Sequence, residues 1–213
     1  MFYFIGWSLF LLFSKAYLKL RVTGRENVPA KGAFIFASNH CSFLDPILLS
    51  VSLHRSLNFM ARDTLFKKKC FAWILRNMHA FPVKRHGGDF KAIKESFAIL
   101  KRGKPLVIFP EGTRSKDREL KKGKAGVGFI VAKSGVPVIP AYVEGSFDAL
   151  PRRWKTLKRR PVEVHIGRPV DLSSFSSGEK NQGTYQLISD EIMCRIAELK
   201  LKAEKPQDAN TTR

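Results

Sequence analysis

A histidine and an aspartate stand five residues apart in the segment Asn39–Asp45. On one continuous helix, that spacing would place the two side chains on different faces. Asp45 is followed by Pro46, a pair that is typical of a helix start, so His40 is expected in the preceding loop. If this loop curls back, Asp45 can accept the proton of one imidazole nitrogen and leave the other as a base. The alternative is that Asp45 only caps the helix and His40 is an ordinary loop residue.

A second polar segment, Phe109–Ser115, follows an apolar run that is typical of a buried strand. Gly112 would let backbone amides approach an anion closely, and Arg114 offers a planar guanidinium that can hold a phosphate. The alternative is a turn that ends the strand and carries a solvated arginine.

With these two segments, the sequence resembles the glycerolipid acyltransferases, and the lysophosphatidate acyltransferase group in particular. The His-x4-Asp motif of that family matches Asn39–Asp45, and two further motifs resemble Phe81–Arg85 and Val138–Ala141. The order and spacing of all four motifs agree over roughly residues 20 to 170. The chain departs from the family where it has Arg62 in place of a frequent lysine and Lys84 in place of a frequent acidic residue.

The resemblance implies transfer of an acyl group from a thioester to the hydroxyl of 1-acyl-glycerol-3-phosphate, which gives phosphatidate. It implies that His40 is the general base and that Asp45 fixes its tautomer. It also implies a substrate-binding set in which the arginines hold the acceptor phosphate and Glu111 positions the glycerol or braces the loop: Arg62, Arg85, Glu111, Gly112, Thr113 and Arg114. The co-substrate would be acyl-CoA or an acyl-carrier-protein thioester, and no cofactor is expected.

Two alternatives remain beside that interpretation. Another lyso-lipid could be the acceptor. Cys41, next to His40, could be a nucleophile that forms an acyl-enzyme. No metal is expected, because the spacing of the other histidines in the sequence is not typical of metal ligands: His54, His79, His86 and His165.

Apolar runs and helical periodicity alternate along the chain and predict an α/β fold, a single-domain β-sheet flanked by helices. The predicted strands are Ala33–Ala37, Asn58–Ala61, Ala80–Val83, Leu106–Phe109, Val136–Val143 and Val162–Ile166. The predicted helices are Asp45–Leu53, Asp89–Lys101 with an apolar face that includes Phe90, Ala125–Lys133 and Tyr185–Leu201. We predict an apolar membrane-associated helix at 1–20, the acyltransferase domain at 21–204 and a polar tail at 205–213.

The N-terminal segment Met1–Phe13 contains no charged residue. A helix that continued to Leu18 would be about 27 Å long at about 1.5 Å per residue, whereas a bilayer core is about 30 Å thick. We therefore expect a helix that lies in one leaflet, with Trp7 and Tyr17 suited to the interface. A single span and a plain buried helix are the alternatives.

The net charge of +20 indicates an anionic partner. Basic clusters occur at 67–69, 121–124 and 152–160 and suit an anionic membrane surface, which favours a monotopic or peripheral protein on the cytoplasmic face of the cell membrane. A basic nucleic-acid-binding protein is the alternative from another class, but no recognisable module supports it and no nucleic-acid partner is expected. Three cysteines without CxxC spacing fit a reducing compartment.

Overall fold

The fold is one seven-stranded sheet with helices on both faces, in a computed structural model that describes residues 2–84, 89–151, 156–175 and 181–204. The strands are β1 Arg21–Thr23, β2 Ile35–Ser38, β3 Asn58–Arg62, β4 Ala80–Val83, β5 Leu106–Ile108, β6 Val138–Glu144 and β7 Glu163–Ile166. The helices are α1 Phe2–Tyr17, α2 Asp45–Ser52, α3 Lys69–Asn77, α4 Phe90–Lys101, α5 Ala125–Ser134, α6 Ser146–Ala149 and α7 Gln182–Glu204.

The strand order is β1-β7-β6-β2-β5-β3-β4, and every neighbouring pair is parallel except β6 and β7. The central strand β2 is buried on both faces, as its continuous apolar run predicts. Phe36 belongs to the core that α1, α2 and α3 cover, whereas Ile35 and Ala37 belong to the core beneath α4, α5 and α7. The alternation of side chains along one strand therefore builds both layers.

Each predicted strand and helix of the domain is present, with ends that differ by a few residues. The sequence missed β1, α3 and the single turn α6. It was also wrong about Phe90, which was expected on the buried face of α4 but is 84% exposed. Phe90 is the first residue after the cap Asp89, and it lies on a different side of the helix from the buried residues Ala92, Ser96, Ile99 and Leu100.

The apolar N-terminal helix is present as α1, and it packs against α2. The Trp7 Nε1–H donates to the Ser50 carbonyl oxygen at 2.9 Å, and Leu18 after the helix is fully buried. Trp7 and Tyr17 both pack against the domain and are half-buried, and the interfacial position expected for them stays a prediction. Another side of α1 exposes apolar side chains, those of Leu9, Phe10, Leu12 and Phe13.

No helix within the described ranges is both long and apolar enough to cross a bilayer, so the alternative of a span is not supported. The division of the chain at residue 20 stays a prediction. The predicted tail at 205–213 lies outside the described residues.

The parallel strands place the motif loops together. Because β2, β3, β5 and β6 run in the same direction, their carboxyl ends lie at one edge of the sheet. The loop that contains His40 follows β2, and the loop that contains Glu111 and Arg114 follows β5, its neighbour. An edge of this kind is where an open α/β sheet usually places its ligand.

Candidate active site

The structure brings His40 and Asp45 into direct contact. His40 Nδ1 lies 2.8 Å from Asp45 Oδ2, and Asp45 is fully buried while the imidazole is 17% exposed. Nε2 forms no hydrogen bond within the described part of the chain. With Nδ1–H donated to the carboxylate, the Nε2 lone pair is available to accept a proton, which is the arrangement of a general base.

Asp45 does not cap α2 in the way that the sequence suggested. The N-cap is Leu44, Asp45 is already helical, and Pro46 follows it in the first turn. The carboxylate instead turns back, and its Oδ2 accepts the amide N–H groups of Cys41 at 2.7 Å and Ser42 at 2.8 Å. These bonds curl the loop around the carboxylate, and this curl places the His40 ring beside it.

The backbone of His40 is held from the β5 side. Its amide N–H donates to Glu111 Oε1 at 3.1 Å, and its carbonyl oxygen accepts the Ser115 amide at 2.7 Å. The His40 ring stacks on Phe109, with ring centroids 4.0 Å apart and planes 16° from parallel. The two motif loops therefore position one imidazole jointly.

Glu111 braces these loops from within. It is 3% exposed, and its second oxygen, Oε2, accepts the Lys121 amide at 3.3 Å. Burial raises the pKa of Glu111 to about 7, although the two amide bonds oppose that rise. Of the two roles that the resemblance implied for Glu111, this geometry fits the loop brace, because both oxygens face backbone amides.

Arg114 and Gly112 lie in the loop after β5. Gly112 has a φ of 65°, a left-handed conformation that favours glycine, and its amide closes a turn onto the Phe109 carbonyl at 2.9 Å. The Arg114 guanidinium lies 3.5 Å from the ring centroid of Phe43, a cation–π contact between the two motif loops. Thr113, between them, is half-buried.

Arg62 is less well placed than Arg114. Arg62 ends β3 at the same edge of the sheet, two strands from β2, and its side chain is exposed. Arg85 lies outside the described residues, as do Arg152 and Arg153 of the third basic cluster.

Cys41 does not have the environment of a nucleophile. It is 5% exposed, and burial together with the nearby carboxylates of Asp45 and Glu111 raises the pKa of its thiol to about 12. A reactive thiol needs the opposite, a lowered pKa and access to substrate. The alternative of an acyl-enzyme on Cys41 therefore has no support in this geometry.

One positioning residue was missed, although it belongs to the motif. Asn39 is buried, and it donates to the Val143 carbonyl at 3.0 Å and accepts the Val143 amide at 2.7 Å. This pair of bonds fixes the start of the His40 loop to β6. An asparagine directly after an apolar strand was the available signal, because a buried amide needs partners on both its donor and its acceptor side.

Comparison with known proteins finds related acyltransferases. A family model described as Acyltransferase matches residues 19–144. The 1-acyl-sn-glycerol-3-phosphate acyltransferase of Bacillus subtilis (strain 168) is 34% identical over 161 residues, which are 74% of this chain and 76% of that protein. The chloroplastic 1-acyl-sn-glycerol-3-phosphate acyltransferase BAT2 of Brassica napus is 33% identical over 186 residues, 85% of this chain but 51% of that protein.

The fold has a counterpart among solved structures. The crystal structure of the 1-acyl-sn-glycerophosphate (LPA) acyltransferase PlsC from Thermotoga maritima matches with a TM-score of 0.74 and 24% identity, over 99% of this chain and 83% of that one. The α/β sheet flanked by helices is thus the fold of that enzyme as well. The chain belongs to the acyltransferase family, and the resemblance that its motifs indicated is confirmed.

Proposed function

We propose that this acyltransferase moves a fatty acyl group from a thioester to the free hydroxyl of 1-acyl-glycerol-3-phosphate and so forms phosphatidate. The observation that carries the proposal is the buried Asp45 carboxylate holding His40 Nδ1 at 2.8 Å, with the Arg114 loop bonded to the backbone of the same histidine. The activity named for the Bacillus and Brassica relatives supports the choice of acceptor.

In the proposed reaction, His40 Nε2 removes the proton of the acceptor hydroxyl while the oxygen attacks the thioester carbonyl. Asp45 stabilises the imidazolium that results. When the tetrahedral intermediate collapses, the carbon–sulfur bond breaks and the imidazolium returns the proton to the departing thiolate. The products are an ester and a free thiol, and His40 is neutral again. The thiol carrier is coenzyme A or acyl carrier protein.

Arg114 is the best-placed group to hold the acceptor phosphate. It is half-buried and packs on Phe43, and its neighbour Ser115 donates to the His40 carbonyl oxygen. A phosphate bound by Arg114 would therefore lie in the same site as the base. Arg62 and Arg85 are proposed as further phosphate contacts, since Arg62 ends β3 at this edge and Arg85 comes two residues after β4 in the sequence.

Replacing Arg114 by alanine is expected to lower kcat/KM for lysophosphatidate about 10- to 100-fold. A charge-assisted hydrogen bond that is partly shielded from water contributes about 1.5–3 kcal/mol, and about 1.4 kcal/mol corresponds to a factor of ten. The measurement is acyl transfer at varied acceptor concentration, for lysophosphatidate and for a monoacylglycerol that lacks the phosphate. Monoacylglycerol should be a poor acceptor for the wild type and hardly worse for Arg114→Ala.

Arg102→Ala is the matched control, because it removes one exposed arginine just before β5, at the opposite edge of the sheet. The Arg102→Ala variant should leave kcat/KM unchanged for both lysophosphatidate and monoacylglycerol. An equal loss on both acceptors in Arg114→Ala would show that Arg114 holds the loop or the acyl donor. A panel of lyso-lipid acceptors with one labelled donor tests the alternative acceptor.

We also propose that the enzyme attaches to the cytoplasmic face of an anionic membrane. The attachment surface is formed by the outer sides of α1 and α3, which cover one face of the sheet. The helix α1 exposes Leu9 (63%) and Leu12 (67%), and α3 exposes Trp73 (56%) and Ile74 (40%). The exposed cluster Lys67–Lys69 adjoins the start of α3. Apolar side chains that enter the acyl region beside lysines that face anionic headgroups are typical of a peripheral membrane surface.

The double variant Leu9→Gln/Leu12→Gln is expected to bind vesicles of phosphatidylglycerol at least tenfold more weakly than the wild type. Fully burying one leucine contributes about 1.5–3 kcal/mol, so the loss of two such contacts is measurable. Vesicle flotation over a range of lipid concentrations gives the affinity. Point variants are preferable to deletion of the whole segment, because deletion of residues 1–18 would remove the buried Leu18.

Leu187→Gln is the control for this comparison. Leu187 is 57% exposed on α7, which covers the opposite face of the sheet. This variant should float like the wild type. If the α1 variant and the control both float like the wild type, the attachment surface lies elsewhere.

A further inference from the structure

A second group of side chains converges at the junction of β6 and β7, apart from the His40 site. Glu144 on β6 pairs in register with Glu163 on β7, and His165 follows two residues later on the same strand. Residues directly opposite in an antiparallel pair share a face, and so do residues two apart on one strand. The three side chains therefore meet on one face, and their ligand atoms all lie within 4.8 Å of one another.

The spacing of these atoms is unusual for a hydrogen-bonded cluster. His165 Nε2 lies 3.5 Å from Glu144 Oε2 and 3.6 Å from Glu163 Oε2, and it is a buried atom without a hydrogen-bond partner within the described residues. A proton shared between an imidazolium and a carboxylate brings the two heavy atoms to about 2.7–2.9 Å. Four ligands around Zn²⁺ at about 2.0–2.2 Å stand roughly 3.3–3.6 Å apart. The two separations measured from Nε2 therefore match the edges of a coordination tetrahedron.

The other nitrogen of His165 is already engaged. Nδ1 lies 3.2 Å from the Thr23 hydroxyl oxygen on β1, which leaves Nε2 directed at the two carboxylates. If Nδ1–H donates to Thr23, the Nε2 lone pair faces two negatively charged groups, and a cation between them would relieve that repulsion. Metal-bound histidines usually have such a partner on the second nitrogen, which fixes the tautomer.

The surroundings also favour a cation. These residues line a cavity of about 880 Å³ that carries five carboxylates and three lysine or arginine side chains, in a chain with 38 basic and 18 acidic residues. Three of the five carboxylates are paired, since Asp148 contacts Arg118 and Lys200 contacts both Glu119 and Glu204. Glu144 has no ion-pair partner but His165 among residues that the structure describes. The other oxygen of Glu163 is 3.7 Å from Arg21, whose side chain is 76% exposed, and such a contact is weak.

We propose that Glu144, Glu163 and His165 bind a transition-metal dication of the Zn²⁺ type, with the remaining coordination position open to the cavity. One imidazole and two carboxylates suit Zn²⁺ better than Mg²⁺ or Ca²⁺, which take oxygen ligands. The cavity also reaches Cys41, the residue after His40, so the metal site lies behind the loop of the active site. The proposal does not depend on the acyl-transfer reaction.

The test is a calorimetric titration of the full-length, chelator-treated protein with Zn²⁺ alone at neutral pH. One Zn²⁺ per chain is expected, and Glu144→Gln, Glu163→Gln and His165→Gln should each weaken binding at least about tenfold. The variant Thr23→Val should weaken binding about 10- to 100-fold, as is usual when the partner of a ligating histidine is lost. Titration with Co²⁺ adds a spectroscopic readout, because a tetrahedral Co²⁺ site absorbs visible light intensely.

Two controls keep the result specific. His54→Gln changes a histidine that contacts Trp7 and lies outside the cluster, and His40→Gln removes the other candidate imidazole with a nearby carboxylate. Both should bind Zn²⁺ as the wild type does, and melting curves without metal verify that all variants are folded. Absent Zn²⁺ binding, unchanged binding in the three cluster variants, or equally tight binding of Mg²⁺ would each overturn the proposal.

Discussion

His40→Ala is expected to lower kcat for acyl transfer by about 10²–10⁴, the usual contribution of a positioned general base. The fold should survive this change. The contacts that bind the His40 loop to Glu111 and Ser115 use backbone atoms, and alanine keeps them. Asp45 also keeps its two amide donors from Cys41 and Ser42. The losses are the stacking on Phe109 and one hydrogen bond, so the melting temperature should fall by only a few degrees.

The measurement is single-turnover acyl transfer from a labelled thioester, with a melting curve for each protein. Cys41→Ser is the control that separates general-base catalysis by His40 from an acyl-enzyme on Cys41. Its turnover should stay within a few-fold of the wild-type value. Near-normal turnover in His40→Ala would remove the proposed base. An inactive Cys41→Ser, together with an acyl-thioester trapped on the wild type, would favour the thiol instead.

Asp45→Asn is expected to lower kcat to a similar extent, because the variant lacks the negative charge beside His40. Three donors meet at Oδ2 of Asp45, and the carbonyl oxygen of an asparagine can accept all three. The imidazole can therefore keep its position and tautomer. The neutral amide cannot stabilise the imidazolium that forms as the acceptor hydroxyl loses its proton. We expect a loss of about 10²–10⁴ in kcat with little change in KM for the acceptor, since the loss falls on the transition state.

Steady-state kinetics of Asp45→Asn should be compared with those of Asp171→Asn. Asp171 also accepts a backbone amide, that of Ser173 at 3.0 Å, but its side chain is exposed and no imidazole contact of it is found in the described residues. This control should leave kcat unchanged. A rise in KM without a fall in kcat for Asp45→Asn would mean that the carboxylate organises the acceptor pocket rather than the proton transfer.

The sequence indicated most of the domain because its core strands are short apolar runs between turn residues. Strand β2 is the clearest case, since every residue of Ile35–Ser38 is buried. Strand β1 could not be found in this way. It has only three residues, begins with an exposed arginine and exists because it pairs with β7, 142 positions further along the chain at Thr23 and His165. Its formation depends on tertiary pairing, which local propensity does not contain.

The site was predictable to the extent that its residues are close in the chain. The contact between His40 and Asp45 follows from one loop and one helix start, so the spacing was informative. The role of Asn39 depends on Val143, and the cluster around His165 depends on the register of β6 against β7. A one-residue change in that register would turn Glu144 to the other face, and no pattern within either strand fixes it.

The double bracing of His40 has a consequence for variants that combine changes in the two motif loops. Glu111 spans from the His40 amide to the Lys121 amide, so the loop after β2 and the loop after β5 share one buried carboxylate. Changes on either side of that link disturb the same imidazole, and their free-energy effects are therefore not additive. In a double-mutant cycle, the two loops should therefore behave as one thermodynamic unit. The coupling energy of such a cycle measures how strongly the position of the His40 ring depends on both loops at once.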